Sequence, residues 1–276
     1  LISENTRTIH QFKYYLQSLS PNGVAFNSEF TIHNSPMIGE PRQHFEHTTS
    51  TNSIAHQWAL EGAPHGAIVT AEAQTAGVGR RGREWVSTPG KGIYLSIILR
   101  PHSSLLPQQC TLLLAVAACR ALETSADVRA QTKWPNDILL QGQKVGGVLC
   151  SGEWRRDELA FIIAGIGLNI NQTKEDLPER PIYPATSLRQ ISGEEHNVEE
   201  VLQKVLSEMN TLEQQDAWTA IHQEFQQRCI FMGEVIGLQE ESKKHFGIAQ
   251  RIDEEGFLWL QTADGLRRFV NGEIVE

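Results

Sequence analysis

The sequence predicts an α+β fold that ends in a small β-barrel of SH3-like type. Two apolar runs of strand length, 66–71 and 93–99, stand among segments whose apolar residues recur at helical spacing. Past residue 230 the character changes to short alternating runs broken by Gly233, Gly256 and Gly265, the pattern of an all-β unit. At 276 residues the chain fits one large domain or a main domain with a small satellite. The expected division is an N-terminal arm over 1–48, a main domain over 49–229 and the small unit over 230–276.

Residues 1–48 are polar and weakly patterned. Ile9, Phe12, Tyr15 and Leu16 suit a short helix, Ser20-Pro21-Asn22-Gly23 is a turn signal, and the arm closes with a lead-in strand. Ser50-Thr51-Asn52 precedes Ile54, Ala55, Trp58, Ala59 and Leu60, a helix with polar residues at its N-terminal cap. The strand at 66–71 feeds a glycine- and arginine-rich loop over 77–83, and 93–99 is a second, stronger strand. Cys110 to Leu122 is an apolar helix rich in Leu and Ala. Strands at 145–149 and 160–163 are expected to pair through the polar 153–158 segment. Val198, Val201, Leu202, Val205, Met209, Leu212, Trp218, Ile221 and Phe225 keep helical spacing. Beyond them strands are expected over 234–238, 246–252, 257–261 and 267–270, with hairpin turns at 253–256 and 263–265.

Composition narrows the function. The formal net charge is -9, so the surface as a whole is not built to hold nucleic acid, and any basic cluster must be local. No apolar run approaches the roughly 20 residues that span a bilayer, and the first residues lack the apolar core of a secretory signal. Cys110, Cys119, Cys150 and Cys229 are scattered without a CxxC pair or zinc spacing. They read as buried free thiols of a cytoplasmic protein.

The one local basic cluster is Gly77-Val78-Gly79-Arg80-Arg81-Gly82-Arg83-Glu84-Trp85. Glycines let backbone N–H groups approach a ligand, and guanidinium forks suit phosphates and carboxylates. The spacing is neither a P-loop nor a full dinucleotide fingerprint. On charge alone the loop fits a solvated surface or a nucleic-acid patch equally well. Three further segments matter: Lys133-Trp134-Pro135-Asn136-Asp137, Gln143-Lys144-Val145-Gly146-Gly147-Val148-Leu149 and Gly165-Ile166-Gly167-Leu168-Asn169-Ile170-Asn171. Singly these read as a turn, a strand with a snorkelling lysine and a strand end with satisfied amides. All four in this order are not coincidence.

Together they resemble the biotin–protein ligase family, which has a Gly-Arg-Gly-Arg-Arg-Gly-Arg-x-Trp loop, a Lys-Trp-Pro-Asn-Asp segment, a Lys-x-(Ala/Gly)-Gly-(Ile/Val)-Leu strand and a Gly-x-Asn strand. The resemblance runs from about Ser50 to the C-terminal unit. It implies a central mixed β-sheet with helices on one face and an SH3-like C-terminal barrel. It also implies ATP-dependent activation of biotin to biotinyl-5′-AMP, then transfer to a lysine of a biotin carboxyl carrier, that of acetyl-CoA carboxylase. Biotin and ATP are then the substrates, Mg²⁺ travels with ATP, and no protein-only metal site is expected. By resemblance, Ser50, Thr51, Asn52 and Gln74 bind biotin's bicyclic head and ureido group, and Val78, Gly79 and Arg80 close over it. Lys144 reaches the biotin carboxylate. Arg80, Arg83, Trp85, Lys133, Asn136 and Asn169 belong to the ATP site, with Trp85 packed on adenine. Arg80, Lys133, Lys144 and Asp137 are the expected catalytic set, Asp137 positioning or deprotonating the acceptor amine.

Two positions depart from the family. Val78 stands where arginine is usual, so one charge of the clamp is missing, and Ser151 replaces a frequent glutamate. Residues 1–48 lack the pattern of a winged helix, so the expectation is a ligase without repressor function, binding no DNA and no membrane; a homodimer stays open. The rivals are a lipoate–protein ligase, a biotin-sensing nucleic-acid binder and a non-catalytic biotin binder that has lost activity through Val78.

Overall fold

The computed structural model describes residues 37–100, 106–179, 183–214 and 218–275. Its organising element is β3 (Gly92–Leu99), buried along all eight residues. A strand covered on both faces needs a near-continuous apolar run, which Ile93-Tyr94-Leu95-Ser96-Ile97-Ile98-Leu99 supplies. Around it lie β1 (Arg42–Thr48), β2 (Ile68–Gln74), β4 (Ala130–Lys133), β5 (Asp137–Leu140), β6 (Gln143–Arg155) and β7 (Glu158–Asn169). They form one seven-stranded sheet in the order β1-β2-β3-β7-β6-β5-β4. Only β1 and β2 run parallel, so the sheet is mixed as expected. β1 is the lead-in strand expected from the arm, whereas the helix and turn expected at 9–23 lie outside the described residues. The hairpin expected around 153–158 is β6–β7. It turns at Arg156 and Asp157, both with positive φ (50° and 67°), a two-residue form whose twist matches its strands.

The helices are α1 (Thr51–Leu60), α2 (Pro107–Ser125), the short α3 (Leu188–Ser192), α4 (Val198–Gln214) and α5 (Trp218–Arg228). The helical spacing over 198–228 resolves into two helices. The first is capped by Asn197, whose Oδ1 accepts from the backbone N–H groups of Glu199 (3.0 Å) and Glu200 (3.2 Å). α2, α4 and α5 share one core with residues of the sheet such as Leu95, Ile97 and Val148, and Leu112, Leu114, Val205, Met209 and Phe225 supply their side of it. Charge ties the same three helices together. Arg120 on α2 pairs with Glu208 and Glu224, and Arg228 on α5 pairs with Glu123 and Glu224. The resemblance puts the helices on one face, but the opposite face carries α1, where Ala55 and Ala59 pack on Val69, Ile98, Phe161 and Ile163. One ten-residue helix covers only part of that face, and the remainder is where the site forms.

His65 lies near the end of this α1 layer, 3% exposed, with Nε2 3.1 Å from Glu213. Burial works to discharge the ring, but the Glu213 hydrogen bond and charge, with the Arg100 carbonyl, outweigh it and raise the pKa above 6.5. A raised imidazole stabilises the fold fully below its unfolded pKa and loses that contribution as pH rises through the folded value. Melting curves at about pH 6 and about pH 8 should therefore show the wild type losing more stability on alkalinisation than His65→Gln. Equal losses in both proteins would remove the charged pair from the account.

Beyond α5 come β8 (Val235–Glu240), β9 (Lys243–Ile252), β10 (Leu258–Thr262), β11 (Gly265–Phe269) and β12 (Glu273–Val275). They pair antiparallel in the order β11-β10-β9-β8-β12. The small all-β unit is thus present, with one strand more than the alternation predicts. No ladder joins β11 to β12 among the described residues, so the barrel is an open five-stranded sheet; β12 has three residues and pairs with β8 alone. The turn at 253–256 locks this sheet to the main domain. Trp134 Nε1 donates to the Gly256 carbonyl (3.0 Å), and Gln109 Nε2 and Trp218 Nε1 both donate to that of Glu254 (2.9 Å each). All four cysteines are free thiols; burial pushes Cys119 and Cys150 up to about 12.

Candidate functional site

On the partly covered face the sheet presents three glycines where side chains would otherwise stand. Gly165 and Gly167 are two apart on β7 and so face the same way, and Gly147 is paired with Gly167 across the ladder. A Cβ on Gly165 would lie 2.1 Å from Asn52 Oδ1, and one on Gly167 would lie 2.4 Å from Trp85 Cε2. The bare backbone is what lets the Asn52 amide and the Trp85 indole lie down on the sheet.

Asn52 belongs to a hydroxyl and amide cluster at the start of α1. Ser50 is the N-cap residue, extended in backbone, yet its side chain makes no capping hydrogen bond. Gln74, at the end of β2, takes over part of that role: its Oε1 accepts from Thr51 N (2.8 Å) and Thr51 Oγ1 (3.2 Å), while Nε2 donates to Ser87 Oγ (3.1 Å). Ser96, fully buried on β3, completes the cluster. Its hydroxyl lies 2.8 Å from Thr51 Oγ1 and donates to Asn52 Oδ1 at 2.5 Å. Ser96 escaped the sequence reading because it sits inside an apolar strand; its polarity there was the available signal.

The arginine loop closes on itself. Gly79 N donates to Arg83 O (2.7 Å) and Trp85 N to Gly77 O (2.9 Å), and Val78 bridges Glu84. Arg81 and Gly82 adopt positive φ, 58° and 72°, at its tip. The loop then reaches across to β12: Arg80 Nη1 donates to the Gly272 carbonyl (3.4 Å), and Arg81 and Arg83 both pair with Glu273. Burial works to raise the Glu273 carboxyl, but the Arg83 hydrogen bond and the charges of Arg83, Arg81 and Lys133 hold it below its usual range. The Arg80 guanidinium is lowered by burial and by neighbouring Arg81. No local pattern marks Glu273, because 190 residues separate it from Arg83.

The Lys-Trp-Pro-Asn-Asp segment spans the turn from β4 to β5. Lys133 is 7% exposed, its Nζ 4.0 Å from the centre of the Tyr183 ring, and burial lowers its pKa. Asn136 is occupied with β6, Nδ2 donating to the Val148 carbonyl (2.7 Å) while its own carbonyl accepts from Val148 N (2.9 Å). Asp137 forms a short ion pair with Lys144. Lys144 Nζ also lies 5.8 Å from the Trp85 ring centre.

These groups converge on one pocket of about 950 Å³, part of it open to solvent. Every expected site residue lines it except Asn169: Ser50, Thr51, Asn52, Gln74, Val78, Gly79, Arg80, Arg83, Trp85, Lys133, Asn136, Asp137 and Lys144. Asn169 is buried, donates to the Thr186 carbonyl (2.9 Å), and lines a neighbouring space of about 290 Å³. Trp85 and Lys144 border both spaces, so the indole and the ammonium stand between them. The hydroxyl and amide cluster suits a small molecule with a polar head, and cations at Arg80, Arg83, Lys133 and Lys144 suit an anionic one.

Comparison with known proteins gives the same picture. Residues 44–169 match the family described as "Biotin/lipoate A/B protein ligase family", and 233–275 match "Biotin protein ligase C terminal domain". The chain is 36% identical over 230 residues to the bifunctional ligase/repressor BirA of Bacillus spizizenii, covering 82% of this chain and 71% of that one. It is 31% identical to the biotin–[acetyl-CoA-carboxylase] ligase of Paracoccus denitrificans, over 79% and 93% of the two chains. Among solved structures, a biotin protein ligase from Aquifex aeolicus in complex with biotin and ATP matches with a TM-score of 0.72 and 30% identity, over 86% and 98% of the two chains.

Proposed function

Because the chain belongs to the biotin protein ligase family, we propose that the pocket just described is where its two half-reactions take place. The protein is an ATP-dependent ligase. It joins biotin to AMP, releasing pyrophosphate, and passes the biotinyl group to a lysine of a carboxylase carrier protein, releasing AMP. The observation that carries the site assignment is convergence: the Ser50–Asn52 and Gln74 cluster and five basic residues line one pocket over a glycine floor.

The cluster supplies donors and acceptors for a ureido group, and Lys144 the charge for biotin's carboxylate. Bringing that carboxylate to a triphosphate is the electrostatic difficulty, since two like charges about 4 Å apart repel by ~4 kcal/mol at an effective dielectric of 20. Arg80, Arg83, Lys133 and Lys144 offset it and stabilise charge as the carboxylate displaces pyrophosphate. ATP brings its own Mg²⁺ as part of the substrate. Trp85, which lines both the main pocket and the space beside Asn169, is assigned to pack on adenine, with Asn169 and Asn136 in the nucleotide site. Asp137, the partner of Lys144, is assigned to orient or deprotonate the acceptor amine. The loop over 77–85 orders around the adenylate and keeps water from it.

The same reading assigns catalysis to 49–229 with a wall contributed by 230–276, places the enzyme in the cytoplasm and takes the carrier of acetyl-CoA carboxylase as acceptor. No helix among the described residues is long and apolar enough to cross a membrane. Labelled pyrophosphate should exchange into ATP when biotin is present and not when lipoate replaces it. Exchange with lipoate alone would replace biotin by lipoate as the substrate, and exchange with neither acid would reduce the protein to a binder.

A further inference from the structure

Beside the main pocket lies a second cavity of about 580 Å³, also partly open to solvent. Arg80, Trp134, Pro135, Asn136 and Leu149 line both spaces, so the two adjoin along these residues. The remaining wall comes from the first turns of α2, from β6 and from the C-terminal sheet. Its exposed lining residues, Gln108, Val270 and Asn271, mark a mouth at the seam between α2 and that sheet. Arg80 is its single contribution from the arginine loop and, among the described residues, its only charged group.

A loop that shields the adenylate creates a topological difficulty. Water must be kept out while a lysine from another protein reaches the same carbonyl carbon. An entrance walled by helix and sheet, with only Arg80 from the loop, gives a lysine a way in that does not require the loop to open. We propose that the second cavity is the passage for the acceptor lysine, whose side chain enters between Gln108 and Val270 and presents its amine beside Asn136. The proposal rests on the ligase reading above.

The lining fits that side chain. Leu112, Leu149 and Val270 offer apolar contact for the four methylenes, and Thr111 and Asn271 offer hydrogen bonds to a neutral amine. No carboxylate lines the cavity among the described residues, and a guanidinium stands at its inner end. Both features disfavour an ammonium and favour the free amine, which is the nucleophile. The amine lone pair attacks the carbonyl carbon of biotinyl-5′-AMP and a C–N bond forms. The carbon–oxygen bond to the phosphate breaks, AMP leaves with that electron pair, and the surplus amine proton passes to Asp137 or water.

Val270→Trp and Gln108→Trp plug the mouth from two separate elements. Three rates are measured for each: biotin-dependent pyrophosphate exchange, discharge of preformed adenylate by hydroxylamine, and transfer to the carrier protein at saturating carrier. Exchange and hydroxylamine discharge should stay within about twofold of wild type, while kcat for transfer drops at least about tenfold. Unchanged transfer in both variants overturns the proposal. So does a parallel loss of exchange, or a loss confined to KM for the carrier, which would make the mouth a docking surface only. A wild-type chain without biotin-dependent exchange overturns the ligase reading itself, and the proposal with it.

Discussion

Lys144→Ala is expected to lower biotin-dependent pyrophosphate exchange by about 10²- to 10³-fold. The ammonium is the partner of Asp137 at the start of β6, with only 16% of its side chain exposed. Removing it deletes the charge that meets biotin's carboxylate and leaves Asp137 unpaired beside the same space. The second effect adds to the first, because two like charges about 4 Å apart repel by ~4 kcal/mol at an effective dielectric of 20. The double variant Lys144→Ala/Asp137→Ala should therefore recover part of the exchange lost in the single one. Equal rates in the two would mean that Asp137 exerts no repulsion on the bound acid. Preserved exchange in Lys144→Ala would remove the lysine from the first half-reaction.

Gly165→Val should weaken biotin binding by about 10²-fold while leaving most of the fold intact. A Cβ there would overlap Asn52 Oδ1 at 2.1 Å, and Asn52 has little freedom to yield, since Ser96 donates to it and its Nδ2 reaches the Leu149 carbonyl (3.4 Å). Displacing that amide breaks hydrogen bonds worth about 0.5–1.5 kcal/mol each, and overpacking adds typically 1–3 kcal/mol of strain. Gly167→Val is the matched control, because its new side chain meets Trp85 and not Asn52. Titration calorimetry with biotin and with a non-hydrolysable ATP analogue should show the first variant impaired mainly toward biotin and the second mainly toward nucleotide. The same defect in both would undo the division of the pocket into a head-group cluster and an adenine platform.

Motif chemistry was the part of this site most open to sequence reasoning. Glycine alternating with arginine, and a cation set next to Trp-Pro-Asn-Asp, are local patterns whose residue types already state a preference for anions. What stayed hidden depends on contacts between distant parts of the chain. Glu273 gains meaning only once β12 comes to rest against the 77–85 loop. The glycines of β7 were visible as a glycine-rich strand, but their use as a floor required knowing that Asn52 and Trp85 arrive from the opposite side. Strand alternation likewise announced a small β unit but not its open form, because closure is decided by which edges pair, and a strand as short as β12 leaves little trace in a pattern of period two.

Trp134 shows how the two sheets depend on each other. A β unit of this size has little interior of its own, and its attachment through the 253–256 turn runs to a tryptophan inside the segment that also carries Lys133 and Asp137. The site and the satellite are therefore mechanically joined. A change in the turn shifts the footing of the motif, and a change at the tryptophan loosens the satellite. Two stretches more than a hundred residues apart hold one another through that hydrogen bond, so a chimera joined at residue 230 keeps the contact only where its tryptophan and its turn still meet.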